Sequence, residues 1–266
     1  MTWPTREITS WDEFAGVAKA LALGPHDASY LLRGQADAHW DLKPSLLRYF
    51  GSDVDAETVL RVESLGRADF ESQAHLHLDA GIAPPSRPTS SHAIWWALMQ
   101  HHSAPTRLLD WTLSAYVAAY FAVERELDKP GAIFLARHRT ILEHKSKLFA
   151  HEAIQNHHLD DAASPRALMV WKPERATARH VAQQGYFTFG INVLTDQNAA
   201  ILEASAEAAA RGPGTLYCQK WIIPAGLKLE FLRHLRRMNI AAHSLFPGID
   251  GVGRSLSEAA RLAARA

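Results

Sequence analysis

Tyr30-Leu31-Leu32-Arg33-Gly34-Gln35 is an apolar run that ends on a cation, a glycine and an amide. From Ser29 to Gly34 the pattern predicts a short buried strand, and its end places a guanidinium where water is scarce. An unpaired buried charge costs several kcal/mol, so Arg33 must meet an acceptor. That acceptor is either a carboxylate of the chain, with Asp110 and Asp41 as candidates, or an anion brought by a ligand. Gly34 removes the side chain that would block close approach of another backbone or of a ligand.

Upstream, Ser10-Trp11-Asp12-Glu13 has the form of a capping box, and Phe14, Val17, Ala18 and Leu21 recur at helical spacing until Gly24-Pro25. Downstream, a helix is expected around Asp55 to His77, then a breaker-rich linker at Pro84 to Pro88, then an aromatic helix from His92 to His102. The helix after Trp111 carries a face of Ala115, Ala118, Ala119 and Ala122 that suits close packing on a sheet. Strands are expected at Gly131 to Arg137, Ala167 to Trp171, Tyr186 to Ile191, Thr215 to Ile223 and Ile240 to Phe246. Helices are expected at Lys228 to Met238 and Arg254 to Ala264. Strands and helices do not alternate regularly enough for a doubly wound sheet, so one α+β domain over residues 1–266 is the simplest architecture.

The densest chemistry lies in Gln100-His101-His102-Ser103-Ala104-Pro105-Thr106-Arg107-Leu108-Leu109-Asp110-Trp111-Thr112. Imidazoles, an arginine, a carboxylate and an indole between two apolar helices suggest a cleft wall. Pro105 ends the first of those helices, so Arg107 and Asp110 can point into the same space as Arg33. Thr112 and Ser114 also stand where a hydroxyl would cap the alanine-faced helix. His101 and His102 project about 100° apart on a helix and suit a shared metal poorly. His75, His77, His151, His157 and His158 have no acid or cysteine at ligand spacing, and no metal site is expected. In Arg179 to Thr188, a glycine turn presents Gln184 and Tyr186 either to a ligand or to nothing in particular. Asp250, between Gly248 and Gly251, is a catalytic carboxylate or a turn former.

Composition narrows the classes. Lys plus Arg equals Asp plus Glu at 28 each, which argues against nucleic acid as a bulk electrostatic partner. The Arg233, Arg236 and Arg237 face is the one local exception. A single cysteine, Cys218, excludes a multi-cysteine zinc cage and fits a reducing compartment, so the cytoplasm is the expected location. No apolar stretch reaches the length of a membrane span, and no membrane partner is expected. Phosphate-loop, dinucleotide-glycine, nucleophile-elbow and zinc-protease motifs are all missing from the sequence.

Tyr30 to Gln35, Trp40 to Arg48, Gln100 to Thr112 with Ala118 to Ala122, Gln183 to Thr188 and Leu245 to Gly251 together resemble the FRG domain family, named for a Phe/Tyr-Arg-Gly motif. Here Leu31 and Leu32 separate the aromatic from Arg33. A more distant resemblance, to ADP-ribosyltransferases of the arginine-serine-glutamate class, is carried by Arg33-Gly34, then Asp110 to Ser114, then Ala118 to Ala122. It implies a mixed or antiparallel split sheet with flanking helices, and NAD as substrate for glycosyl transfer to a macromolecular acceptor, in the manner of a toxin or defence effector. By that likeness Arg33, with Gly34, Gln35, His101, Arg107, Asp110, Ser114 and Tyr186, would hold the dinucleotide, and Thr112 or Ser114 would brace the nicotinamide ribose. The catalytic acid falls first to Asp250, with Glu230 and Gln184 behind it. The alternative is a non-catalytic FRG module that binds a nucleotide or a protein.

Overall fold

Apolar runs bounded by glycine or proline become strands of one mixed sheet in the computed structural model, which describes residues 1–24, 29–77, 91–148, 159–173, 177–212 and 214–265. Seven strands are present among these residues: β1 Thr5–Glu7, β2 Tyr30–Gln35, β3 Leu109–Thr112, β4 Gly131–Arg137, β5 Leu168–Trp171, β6 Gly185–Gly190 and β7 Cys218–Ile223. Their order is β1-β7-β4-β2-β3-β6-β5, and every neighbouring pair is antiparallel except β1 with β7. Ten α-helices accompany them: α1 Trp11–Ala22, α2 Ala56–Ala74, α3 Ser91–His101, α4 Ala115–Val123, α5 His138–Leu148, α6 Ala178–Gln183, α7 Gln197–Arg211, α8 Lys228–Arg237, α9 Ala242–Leu245 and α10 Ile249–Ala264.

Strand β4 is buried on both sides, and its alternation divides the core. Ile133 and Leu135 join Leu32 and Trp221 under α1, α4, α8 and α9, through Phe14, Ala118, Phe231 and Leu245. Ala132, Phe134 and Ala136 join Leu31 and Trp111 on the opposite face, covered by Ile141 of α5 and by Ile201 and Leu202 of α7. Helix α4 lies hard against the sheet. A Cβ on Gly34 would stand 1.9 Å from the Ala118 carbonyl oxygen, and one on Gly131 would stand 2.1 Å from that of Ala122. Glycine at these two positions, facing alanine on the helix, permits an approach that any larger residue would prevent.

Ser114 caps α4, its Oγ accepting from the Val117 amide at 3.3 Å. Ser114→Ala is expected to lower stability by about 1 kcal/mol in a denaturant titration. Ser10 caps α1 in the expected way, but Glu13 reaches back to the Thr9 amide at 2.8 Å instead of to Ser10.

Two expectations are corrected. Ile240 to Phe246, read as a last strand, contains α9. The Ser244 hydroxyl accepts from the Ala241 amide and donates to the Asn239 and Ala241 carbonyls, so local bonds replace a sheet partner. Helix α10 begins at Ile249, so Asp250 lies in a first helical turn. Strand β1 and helices α5 and α7 were not foreseen. The linker expected at Pro84 to Pro88 lies outside the described residues, as do His151, His157 and His158.

Candidate functional site

Strands β2 and β3 are neighbours that pair only at Leu32 with Thr112. In the opening beyond that pair lies the side chain of Arg33, 15 % exposed. Its Nη1 donates to the Asp110 carbonyl at 2.8 Å and stands 3.7 Å from the Asp110 carboxylate. Its buried Nε has no hydrogen-bond partner. Burial pulls the guanidinium below its ordinary range, and Asp110 offsets part of that pull. The strand end therefore holds a cation that the chain satisfies only in part.

The opening widens into a cleft of ≈ 230 Å³. Its charged lining is Arg33, Arg125, Arg179 and Arg254 against Asp110 and Glu124. Arg125 follows α4, and the turn that carries it is held by Lys228, a fully buried ammonium whose Nζ donates to the Ala36, Arg125 and Glu126 carbonyls. Arg179 comes from α6 and donates to the His101 carbonyl at 3.2 Å. Burial lowers its pKa while Asp110 acts the other way. Both Arg179 and Arg254 of α10 lie over the ring of Phe246, at 4.7 and 4.4 Å. Phe121 meets Phe246 edge to face. Glu124 ends α4, where burial raises its carboxyl above the usual glutamate range and Arg125, 3.8 Å away, counters this. The arrangement is an anion site with two aromatic edges and two acids on its wall.

The structure brings together Arg33, Gly34, Asp110 and Thr112 from among the residues singled out by sequence. Thr112 Oγ1 donates to the Gln183 carbonyl at 2.7 Å and accepts from the Ser114 amide. Gln184, in the left-handed region at φ 48°, and Ser114 line a neighbouring cavity of ≈ 400 Å³ with Tyr30 and Tyr116, and this cavity shares Leu32 with the cleft. His101 sits behind Arg179, where burial lowers its pKa to about 4 and Arg179 adds to the shift. Gln35 is buried and donates to the Asp41 carbonyl. Tyr186 packs on the Trp111 side of the sheet, against His138.

Three candidates stand elsewhere. Arg107 is enclosed, its guanidinium bound to Glu63 and to the carbonyls of Ile191 and Leu159 and stacked over Trp96. Asp250 is exposed in the first turn of α10, and Glu230 lies in the first turn of α8; neither lines the cleft. Among the described residues there is no group of three or more His, Cys, Asp or Glu placed to hold a metal ion. Sequence reasoning missed Glu124, Arg125 and Arg254. The signal for the first two was a charged pair closing an otherwise apolar helix; Arg254 carried none.

The FRG domain model matches residues 28–130. The matched stretch supplies Arg33, Asp110, Thr112, Phe121, Glu124 and Arg125, one wall of the cleft, and leaves Arg179, Phe246 and Arg254 to the rest of the chain. No curated protein and no solved structure gives a match.

Proposed function

We propose, from the FRG domain that the chain carries, that the cleft between β2 and β3 binds the diphosphate of a nucleotide, with NAD as the substrate of an ADP-ribosyltransferase-like reaction. The observation that carries this reading is the Arg33 fork, whose Nε has no partner and whose Nη1 meets one carbonyl and a distant carboxylate. A phosphate would meet the part of that guanidinium left open to the cleft with charge-assisted hydrogen bonds. Three further arginines stand ready to share the second phosphate. The cleft suits a diphosphate and one sugar, and the cavity beyond Leu32 offers Tyr30 and Tyr116 to the remainder. Cleavage of the bond to nicotinamide passes through a cation-like sugar, which a carboxylate stabilises. Asp110 and Glu124 are the acids within the cleft, and they support this chemistry better than the distant Asp250.

A non-catalytic nucleotide-binding module is favoured by one observation. The Thr112 hydroxyl, assigned to the ribose by resemblance, is already occupied by Gln183 and Ser114. Titration of the protein with NAD by calorimetry, followed by assay of nicotinamide release and label transfer in cell extract, separates the readings. Binding with release or transfer is the expected result. Binding alone leaves the module, and no binding removes both.

A further inference from the structure

We infer that Glu124 sets the ligand class of the cleft, admitting a phosphate joined to a sugar with free hydroxyls in preference to a bare polyphosphate; the inference rests on the anion-binding reading above. A site meant for phosphate alone gains nothing from a carboxylate in its wall, because like charges repel at short range. Yet the Glu124 side chain lines the cleft at 20 % exposure, and the Arg125 Nε beside it is 3.8 Å away, beyond hydrogen-bond length. Buried Tyr120 hydrogen-bonds to the carboxylate, and the lone pairs that remain can accept from a ligand. Arg33, Arg179 and Arg254 lie on β2, α6 and α10, and so not on the helix that Glu124 ends.

The cleft thus offers a ligand an acceptor set among its cations. A ribose diol is the group that meets a carboxylate with two donors, as in sites where an acid receives a nucleotide ribose. Asp110 is less suited to the task. Its side chain is 54 % exposed and is set against Arg33 at 3.7 Å. Burial strengthens the hydrogen bonds that Glu124 makes, and work at pH 8 favours its ionised form.

The test is calorimetric titration of the full chain at pH 8 with two probes, ADP-ribose and inorganic pyrophosphate. Wild type is expected to prefer ADP-ribose. Glu124→Ala is expected to weaken ADP-ribose by about tenfold and to tighten pyrophosphate by about threefold, opposite signs for one substitution. Glu124→Gln, which keeps the shape, is measured beside it and decides the matter if the alanine variant does not fold. Changes of the same sign for both probes, or no change in either, overturn the role of Glu124 while the anion site stands. Binding of neither probe by wild type overturns the anion reading and the inference together.

Discussion

Glu63→Ala is expected to lower the free energy of unfolding by about 3–5 kcal/mol. Glu63 and Arg107 form an ion pair with side chains 2 % and 1 % exposed. Arg107 Nε donates to both Glu63 oxygens at 2.8 and 3.0 Å, and Nη1 donates to the Ile191 carbonyl at 2.9 Å. The pair ties α2 to the segment entering β3 and to the residue that follows β6. Removing the carboxylate strands a guanidinium against Trp96, with no solvent to receive it. The cost comes from the partner left behind, so exchange of both residues for methionine is expected to recover most of the stability. Urea unfolding of Glu63→Ala and of the double variant measures both. A loss below about 1 kcal/mol for the single change would show that water or an anion reaches Arg107. Arg107 would then return as a ligand residue.

Arg33 and Arg107 show where sequence reading stops. Each is an arginine at the edge of an apolar run, and the local pattern allows either an internal acceptor or a ligand. The difference is made by Glu63, 44 residues before Arg107, for which Arg33 has no counterpart. Features held within one element were legible: the strand at Tyr30, the alanine face of α4, the cap at Ser114 and the glycine that lets helix and sheet meet. Helix α9 was not, since four residues fit either period and its fate rests on a serine hydroxyl and on packing beneath α10. The far wall of the cleft was hidden for the same reason. Arg254 reads as a solvated charge on an amphipathic helix, and only the packing of α10 brings it over Phe246. No helix of the described residues is long and apolar enough to cross a membrane.

Arg33→Ala is expected to weaken nucleotide binding by about 2–3 kcal/mol, roughly 30- to 150-fold, without loss of fold stability. The two parts depend on the same geometry. In the free protein the guanidinium is desolvated and holds one carbonyl, with a carboxylate at 3.7 Å and an Nε that bonds to nothing. Removing such a group leaves no buried charge unpaired, because Asp110 is exposed to water. The melting temperature of Arg33→Ala should therefore equal or exceed that of wild type, the usual sign of a residue kept for binding at some expense of stability. Arg33→Lys should fall between the two in affinity, keeping the charge and losing the planar fork. Differential scanning fluorimetry without ligand and calorimetry with ADP-ribose give the two numbers. A large drop in melting temperature for Arg33→Ala would mean that the guanidinium is fully used inside the molecule. The reading of the cleft as a phosphate site would then fail, whatever affinity the variant retained.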